Sequence, residues 1–271
     1  MKTSHENYLE ELYDSPMLYL SAGSKELFHS NFLYWLSNSN WDAFIHVLRN
    51  LAGLGNDEHF WWEESYSLKN ENLTVRREYH HFDLSVCIHI HKNKWVPVLV
   101  LENKMKSLPY PEQLIDYSAK AKKEWGKTEN NGKGKITFIL LSLTDATSLR
   151  KEPNLKTWSF KKYIDLAKTL KNWPNKYTGF HRQLYENYCQ FICALSIWER
   201  IIDSVQTPSE ITRKKIERWA TQAPMSGKNS WCRYGDSFIY RYRHIKPSET
   251  ISDIIDNIVN DAQEILNLFR K

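Results

Sequence analysis

The spacing of apolar residues along the chain predicts helices that alternate with strands. Helices are predicted, mainly from apolar positions three and four residues apart, over segments 24–37, 41–52, 111–125, 160–171, 180–203, 209–222 and 250–269. Runs rich in β-branched and aromatic residues predict strands over segments 60–68, 73–91, 94–104, 136–143 and 236–243. Because a helix, three strands, a helix and a further strand follow one another, we expect an α/β fold with a mixed central sheet flanked by helices.

The same pattern predicts the domain organisation. We see no internal repeat and no long linker, so we expect residues 1–271 to form a single domain. Its core would occupy about residues 20–172, and a helical extension over about residues 177–271 would pack on that core. The cleanest amphipathic helix, over residues 250–269, has an apolar stripe that we interpret as packing surface without chemistry.

Composition and charge narrow the class of protein. Of the 271 residues, 41% are hydrophobic and 25% are charged, which is ordinary for a globular protein and excludes a disordered one. The 37 Lys and Arg residues against 32 Asp and Glu residues leave a net charge of +5, which permits a polyanionic partner without requiring one. Met1–Pro16 has no apolar leader segment, and the apolar runs are shorter than a membrane span. We therefore expect a cytoplasmic protein with no membrane partner.

A charged tripeptide ends the most apolar strand of the chain. The run Trp95–Leu101 leads directly into Glu102, Asn103 and Lys104, the only Asp/Glu-x-Lys tripeptide in the sequence. An unpaired charge buried at such a place costs on the order of several kcal/mol, so we expect these charges to have partners or a use. Asp83 lies at the end of another apolar pattern, and if the two strands are neighbours its carboxylate would meet that of Glu102.

Two carboxylates around a water-lined gap suit a hard divalent cation. Mg²⁺ and Mn²⁺ prefer oxygen ligands, so we predict that Asp83 and Glu102 bind Mg²⁺ or Mn²⁺. Such an ion would bind a phosphodiester oxygen and lower the pKa of a bound water. Lys104 would orient that water or stabilise the charge that develops on the phosphoryl group.

These residues resemble the signature of the PD-(D/E)XK nuclease superfamily. Asp83, an interval of 19 residues, and Glu102-x-Lys104 at the end of an apolar strand match the motif, although Phe82 stands where the motif has proline. The resemblance covers about residues 24–145, roughly half of the chain, with a looser likeness over Trp158–Leu170. It implies a restriction-endonuclease-like core.

The helix after this strand extends the resemblance. It carries Gln113 and Tyr117 in a pattern similar to the Q-x-x-x-Y element of RecB-like exonucleases, and two residues four apart share a helix face. The resemblance implies that this face looks onto the catalytic centre. Members of the superfamily often have an acid on the first helix too, and Glu26 is the matching residue. The resemblance therefore implies catalytic roles for Asp83, Glu102, Lys104, Gln113 and Tyr117, and metal ligation by Asp83, Glu102 and Glu26.

The function implied in this way is metal-dependent hydrolysis of phosphodiester bonds, with DNA expected as the substrate rather than RNA on family grounds. Basic residues near the motif are candidates for nucleic-acid binding: Arg77, Lys120, Lys123 and Lys127. Each of them has a plainer explanation as part of a solvated surface. A homodimer or a protein partner is compatible with the sequence. The number of metal ions and the choice between endonuclease and exonuclease stay open.

Two other functions remain open at this point. The same fold could serve as a nucleic-acid-binding or assembly module without turnover. A different metal-dependent hydrolase would be favoured by a small-substrate pocket in place of an open basic groove.

Overall fold

Helices and strands alternate through the part of the chain that the computed structural model describes, which is residues 17, 25–55, 57–66, 68, 71–90, 94–105, 109–126, 135–143, 146–173 and 177–204. In chain order the elements are α1 (Lys25–Ser39), α2 (Trp41–Ala52), β1 (Leu73–Tyr79), β2 (Phe82–Ile90), β3 (Lys94–Lys104), α3 (Pro111–Gly126), β4 (Thr137–Ser142), α4 (Thr147–Arg150), β5 (Trp158–Lys162), α5 (Tyr163–Asn172) and α6 (Gly179–Ser204). Among these helices none is at once long and apolar enough to cross a membrane. The predicted elements over 209–222, 236–243 and 250–269 lie outside the described residues.

The five strands form one mixed sheet in the order β1-β2-β3-β4-β5. The first three strands pair antiparallel, whereas β3 with β4 and β4 with β5 pair parallel. The change of direction follows from the connections, because a parallel neighbour needs a crossover and α3 supplies it between β3 and β4. The predicted α/β class with a mixed central sheet flanked by helices is confirmed.

β3 lies in the middle of the sheet and is buried on both faces. Every residue from Val96 to Asn103 is buried, as expected of a strand that carries an almost continuous apolar run. Pro97 sits where the register between β2 and β3 shifts, and β3 meets β4 only from Leu99 onward. The missing N–H of proline therefore falls at an irregular, one-sided part of the ladder, where it is tolerated.

The prediction of a strand over residues 60–68 is wrong, because the described residues from 60 to 66 form turns. The rings of Phe60 and Trp62 stack with centroids 5.1 Å apart, and the backbone N–H of Glu63 donates to the Phe60 carbonyl. An ion pair between Glu63 and Arg49 ties this turn to α2. The aromatic residues that resemble a strand pattern belong to a turn, because a backbone hydrogen bond joins Glu63 to Phe60 three residues earlier.

His80 and His81 divide the predicted strand over 73–91 into β1 and β2. Both residues have positive φ angles, 54° and 70°, as in the type I′ turns that join two strands through two residues. The strands pair around this turn with Tyr79 opposite Phe82. The usual sequence signals for such a turn are Asn-Gly and Asp-Gly, and the absence of both here explains why sequence pattern alone misses the hairpin.

The predicted helix over 160–171 begins as a strand. Its first residues belong to β5, which pairs parallel with β4, and α5 starts only at Tyr163. Asp165 fixes this start, since its Oδ2 accepts the Lys162 N–H at 3.0 Å, as an acid in the first turn does in a capping box. The short helix α4 was not predicted, whereas α1, α2, α3, β4 and α6 lie within two residues of their predicted bounds.

The two ends of α2 show why local signals can locate a helix well. The Asn40 side chain accepts the Ala43 N–H at 3.0 Å, which satisfies one of the free donors of the first turn. At the other end Gly53 adopts a φ of 80°, a left-handed conformation that costs glycine nothing and ends the helix.

The internal contacts divide the chain into two compact units, Glu26–Thr169 and a second unit formed by Met1–Lys25 with Leu170–Lys271. The first unit contains the whole sheet. In the second unit α6 buries Tyr185 and Phe191, and the Tyr185 hydroxyl donates to the Leu170 carbonyl. The single domain with a packed helical extension stays a prediction.

We expect His81→Gly to stabilise the fold by about 1 kcal/mol, because a residue with a Cβ pays roughly 1–2 kcal/mol for a left-handed backbone that glycine adopts freely. His81 is exposed, so little packing is lost. Urea unfolding measures the change. Thr157→Gly, at an exposed turn residue that is not among those with positive φ, is the control and should destabilise the fold slightly. A less stable His81→Gly variant would contradict the turn geometry.

Candidate active site

The pairing of β2 with β3 brings Asp83 and Glu102 to the same end of the sheet. The antiparallel register places Leu84 opposite Leu101, so the next positions outward are Asp83 and Glu102, where the ladder ends. Both side chains are largely buried, and the charge of Asp83 acts on Glu102. The fold therefore places two acids that are far apart in sequence next to each other.

The carboxyl group of Glu102 is almost fully buried, with 2% of the residue exposed. Its Oε1 accepts hydrogen bonds from Lys104 Nζ at 2.8 Å and from Gln113 Nε2 at 3.3 Å. Its Oε2 is buried too but has no hydrogen-bond partner. Because an unpaired buried carboxylate oxygen is costly, this atom is well suited to ligate a cation.

Lys104 lies between two carboxylates. Its Nζ is 2.8 Å from Glu102 Oε1 and 3.8 Å from Oε2 of Glu26, which comes from the first turn of α1. Residues two apart on a strand point to the same face, which is why the Glu102 and Lys104 side chains meet. Glu26 reaches the site through the ammonium group of Lys104.

Gln113 and Tyr117 extend the site from α3. The Gln113 side-chain amide donates one hydrogen bond to Glu102 Oε1 and another to the Tyr117 hydroxyl, at 3.0 Å. The two residues are four apart on the helix and share the face that lies against β3. The structure thus gathers Asp83, Glu102, Lys104, Gln113 and Tyr117, while their catalytic roles stay predictions.

Burial dominates the electrostatics of this cluster. It raises the pKa of Asp83 to about 6, although the hydrogen bond from the Asn103 N–H opposes the shift. Burial also raises the pKa of Glu102 to about 8, and the charge of Asp83 adds to that shift. Burial acts to lower the pKa of Lys104, but the charge and the hydrogen bond of Glu102 outweigh it and the net shift is upward. The lysine is therefore charged at neutral pH, whereas the two acids resist simultaneous ionisation.

A comparison with known protein families agrees with this geometry. The family model described as the PD-(D/E)XK nuclease superfamily matches residues 17–190, which is more than half of the chain. The chain belongs to the PD-(D/E)XK nuclease superfamily. The resemblance inferred from the motif is thereby confirmed, and the five-stranded mixed sheet is consistent with a restriction-endonuclease-like core. Searches of curated proteins and of solved structures gave no match.

Membership in this superfamily indicates a nuclease-type function, since most members are nucleases. Nucleases of this superfamily generally depend on a divalent metal. This PD-(D/E)XK chain departs from the motif at Phe82, which replaces the proline. The Phe82 ring is fully buried and packs edge-on against the Tyr117 ring, with centroids 5.5 Å apart. The substitution thus gives β2 an apolar contact with α3 directly beside Asp83.

The residues at the end of β3 fit a hard cation with two protein ligands. Mg²⁺ in nucleotide-processing sites is commonly held by one or two carboxylates, with water and phosphate oxygens completing the octahedron. Asp83 and Glu102 supply two carboxylates, and Glu102 Oε2 has no hydrogen bond to compete with a metal. Within the described ranges, Asp, Glu, His and Cys side chains form no group of three or more that could hold a metal. Glu26 contacts Lys104 instead, so its role as a third ligand stays a prediction.

Three residues at the site escape prediction from sequence: Asn103, Ser30 and Tyr163. The Asn103 side chain donates to Ser30 Oγ at 2.7 Å and accepts from the Tyr163 hydroxyl at 3.1 Å. The one signal in the sequence is an uncharged polar residue between the two charged residues that end β3. Its partners lie 73 and 60 residues away, so no local pattern identifies them.

The predicted nucleic-acid-binding residues occupy two different elements. Arg77 on β1 is exposed, bonds to Asn31 Oδ1 and lies with its guanidinium carbon 5.2 Å from the centroid of the Tyr34 ring. Lys120 and Lys123 are exposed on α3, and Lys120 Nζ lies 5.7 Å from the Tyr117 ring centroid. Lys127 lies outside the described residues, and the nucleic-acid contacts of all four residues stay predictions.

The raised carboxyl pKa values predict how metal-free stability depends on pH. As pH rises, the unfolded chain releases these protons near pH ~4 and the folded chain later, up to about pH 8, so stability falls across this window. Glu102→Gln mimics the protonated acid. We expect its free energy of unfolding, relative to wild type, to rise by on the order of 1–3 kcal/mol between pH 4 and pH 8.

Urea unfolding in EDTA measures this difference, and Asp116→Asn, at an exposed position of α3, controls for the loss of one negative charge. We expect Mg²⁺ at pH 8 to stabilise wild type more than Glu102→Gln, because only wild type retains both carboxylates. A difference between wild type and Glu102→Gln that does not change with pH would show that Glu102 is not desolvated as described.

Proposed function

We propose that this PD-(D/E)XK chain is a metal-dependent nuclease that hydrolyses phosphodiester bonds of DNA in the cytoplasm. The observation that carries the proposal is the pair of largely buried carboxyl groups, Asp83 and Glu102, with a lysine ammonium 2.8 Å from one of them. DNA is preferred over RNA on family grounds. The number of protein copies in the active form is left open.

Asp83 and Glu102 would hold Mg²⁺ or Mn²⁺ through their carboxylate oxygens. When bound, such an ion neutralises charge on the phosphodiester and lowers the pKa of a coordinated water. The surrounding protein keeps the two acids in place: the Asn103 N–H orients Asp83, and the Gln113 amide orients Glu102. Because burial raises the pKa of both acids, ionising the two together is unfavourable without a metal, and metal binding would release protons.

Lys104 would act as a charged donor rather than as a base. Its pKa is shifted upward, so its ammonium group has no lone pair with which to take a proton from water at neutral pH. In hydrolysis the water loses a proton and its oxygen forms the new P–O bond, while the P–O bond to the leaving oxygen breaks and that oxygen gains a proton. An ammonium group beside the phosphoryl oxygens would stabilise the negative charge that develops there.

Gln113 and Tyr117 would support Glu102 from α3. The Gln113 amide holds Glu102 Oε1 and the Tyr117 hydroxyl at the same time, so its two N–H groups are both used. Glu102 Oε1 is thereby occupied by donors, and Oε2 is left as the oxygen available to a cation.

We expect Lys104→Ala to lower the rate of DNA cleavage by about 10²–10³-fold, because one donor to the developing charge is lost. Linear and circular DNA, and RNA of matched sequence, incubated with Mg²⁺ or Mn²⁺ would report the rate and the substrate. Lys94→Ala is the matched control, because Lys94 lies at the opposite end of the same strand and contacts Glu124, so its loss should leave the rate unchanged.

Failure of wild type to cleave any of these nucleic acids with either metal would favour a binding or assembly module over an enzyme. Cleavage of RNA but not of DNA would keep the nuclease and change its substrate. Equal rates for wild type and Lys104→Ala would remove Lys104 from the mechanism.

Arg77 is the exposed cation that we propose contacts a phosphate of the DNA. Asn31 and Tyr34 are both neutral, so they hold the guanidinium without cancelling its charge. Lys120 and Lys123 would add basic contacts along α3, roughly two and three helix turns beyond Gln113.

We expect Arg77→Ala to weaken DNA binding regardless of sequence and to reduce the slope of log K against log salt by about 1, because one phosphate contact is lost. Binding is measured by fluorescence anisotropy at several salt concentrations in a Lys104→Ala background, which slows cleavage. Arg150→Ala, at an exposed arginine whose side chain bonds to the Phe160 carbonyl, is the control and should leave the slope unchanged. An unchanged slope in Arg77→Ala would place Arg77 outside the DNA path.

A further inference from the structure

Asn103, the middle residue between Glu102 and Lys104, ties the end of β3 to three other elements. It is fully buried. Its Nδ2 donates to Ser30 Oγ in α1 at 2.7 Å, and its Oδ1 accepts from the Tyr163 hydroxyl at the start of α5 at 3.1 Å. Its backbone N–H donates to Oδ2 of Asp83, on β2, at 2.7 Å. One residue thus connects two helices to an acid of the candidate active site.

Strand geometry explains how Asn103 makes both kinds of contact. Neighbouring side chains on a strand point to opposite faces, so the Asn103 side chain turns away from the face that carries Glu102 and Lys104. The helices hold this side chain on one face, while its peptide N–H stays in the plane of the sheet and binds Asp83. Ser30 is itself held within α1, since its Oγ donates to the Glu26 carbonyl at 3.1 Å.

The hydrogen bond from Asn103 to Asp83 lies just beyond the last backbone pair between β2 and β3. Leu84 and Leu101 are the last paired residues at this end of β2 and β3. Beyond them, the carboxylate of Asp83 takes its orientation from the peptide N–H of Asn103. A shift of that peptide group would move the Asp83 carboxylate relative to the Glu102 carboxylate.

We propose that Asn103 is a positioning residue that sets the separation of the Asp83 and Glu102 carboxylates and thereby their affinity for a divalent cation. The proposal rests on the proposed function, since it concerns the same pair of acids. Loss of the groups that hold metal ligands in place typically lowers metal affinity about 10- to 100-fold. A residue that only satisfies buried polar atoms would lower the stability of the fold and leave metal affinity unchanged.

Binding of Mn²⁺ to the full chain without nucleic acid separates these two roles. The free Mn²⁺ signal in electron paramagnetic resonance gives Kd for wild type, Asn103→Ala, Ser30→Ala and Tyr163→Phe. We expect Kd to rise at least about 10-fold in Asn103→Ala. In Ser30→Ala and Tyr163→Phe, which each remove one of the two hydrogen bonds of the Asn103 side chain, we expect a rise of about 3- to 10-fold. These two variants keep most of the packing, so they decide the question if Asn103→Ala does not fold.

Ser159→Ala is the matched control. It removes a partly buried hydrogen bond of 2.7 Å from a serine hydroxyl to the Leu51 carbonyl, where β5 contacts α2 away from the candidate site. Its Kd for Mn²⁺ should stay at the wild-type value. At saturating Mn²⁺ we expect kcat of Ser30→Ala and Tyr163→Phe to return to near the wild-type value, because excess metal compensates for weaker binding.

Wild-type Kd values in all three site variants, together with lower melting temperatures, would overturn the positioning role and leave the proposed nuclease intact. Undetectable Mn²⁺ binding by wild type would overturn the metal pair itself, and this inference with it. The two failures are therefore distinguishable in one set of measurements.

Discussion

Two carboxyl groups lie side by side in a largely buried position at the end of β3, and their mutual repulsion governs the rest of the site. Ionising either acid there costs free energy because water is excluded, and ionising both costs more because the charges are alike. The protein offsets this cost with a lysine ammonium, a backbone N–H and a side-chain amide, each directed at a particular oxygen. One oxygen, Oε2 of Glu102, receives no such donor. The protein therefore offsets only part of the free-energy cost of ionising the two acids. A bound cation would offset the rest, which favours cation binding at this place.

The scaffold holds this unfavourable pair together because each acid belongs to a rigid element. β2 and β3 are paired over most of their length, so the two backbones cannot separate easily where the ladder ends. α3 presses Gln113 against Glu102, and α1 brings Glu26 to Lys104. Asp83, Glu102 and Lys104 are thus held in place by the pairing of β2 with β3 and by contacts from α1 and α3. Such preorganisation lets an active site meet a charged substrate without rearranging its own dipoles.

Local and tertiary constraints explain which predictions from sequence are correct. The bounds of α2 follow from Asn40 and Gly53, whose capping conformations are local properties. The turns at residues 60–66 and the hairpin at His80 and His81 are missed because stacking of Phe60 on Trp62 and pairing of β1 with β2 override residue preferences. The start of β5 is missed for the same reason, since only its pairing with β4 makes Trp158–Lys162 a strand.

In the candidate site, too, some features follow from local sequence and others from tertiary packing. Sequence periodicity is enough to indicate which residues could carry the chemistry. An acid and a lysine two apart at the end of an apolar strand point to one face, and Gln113 and Tyr117, four apart, share a helix face. The packing of the elements places Asp83 beside Glu102 and Glu26 beside Lys104, and it lets Asn103 join α1 and α5 to the end of β3. The physical reason is that periodicity gives the direction of a side chain within its own element, whereas the distance between elements depends on strand register and helix packing across the whole unit.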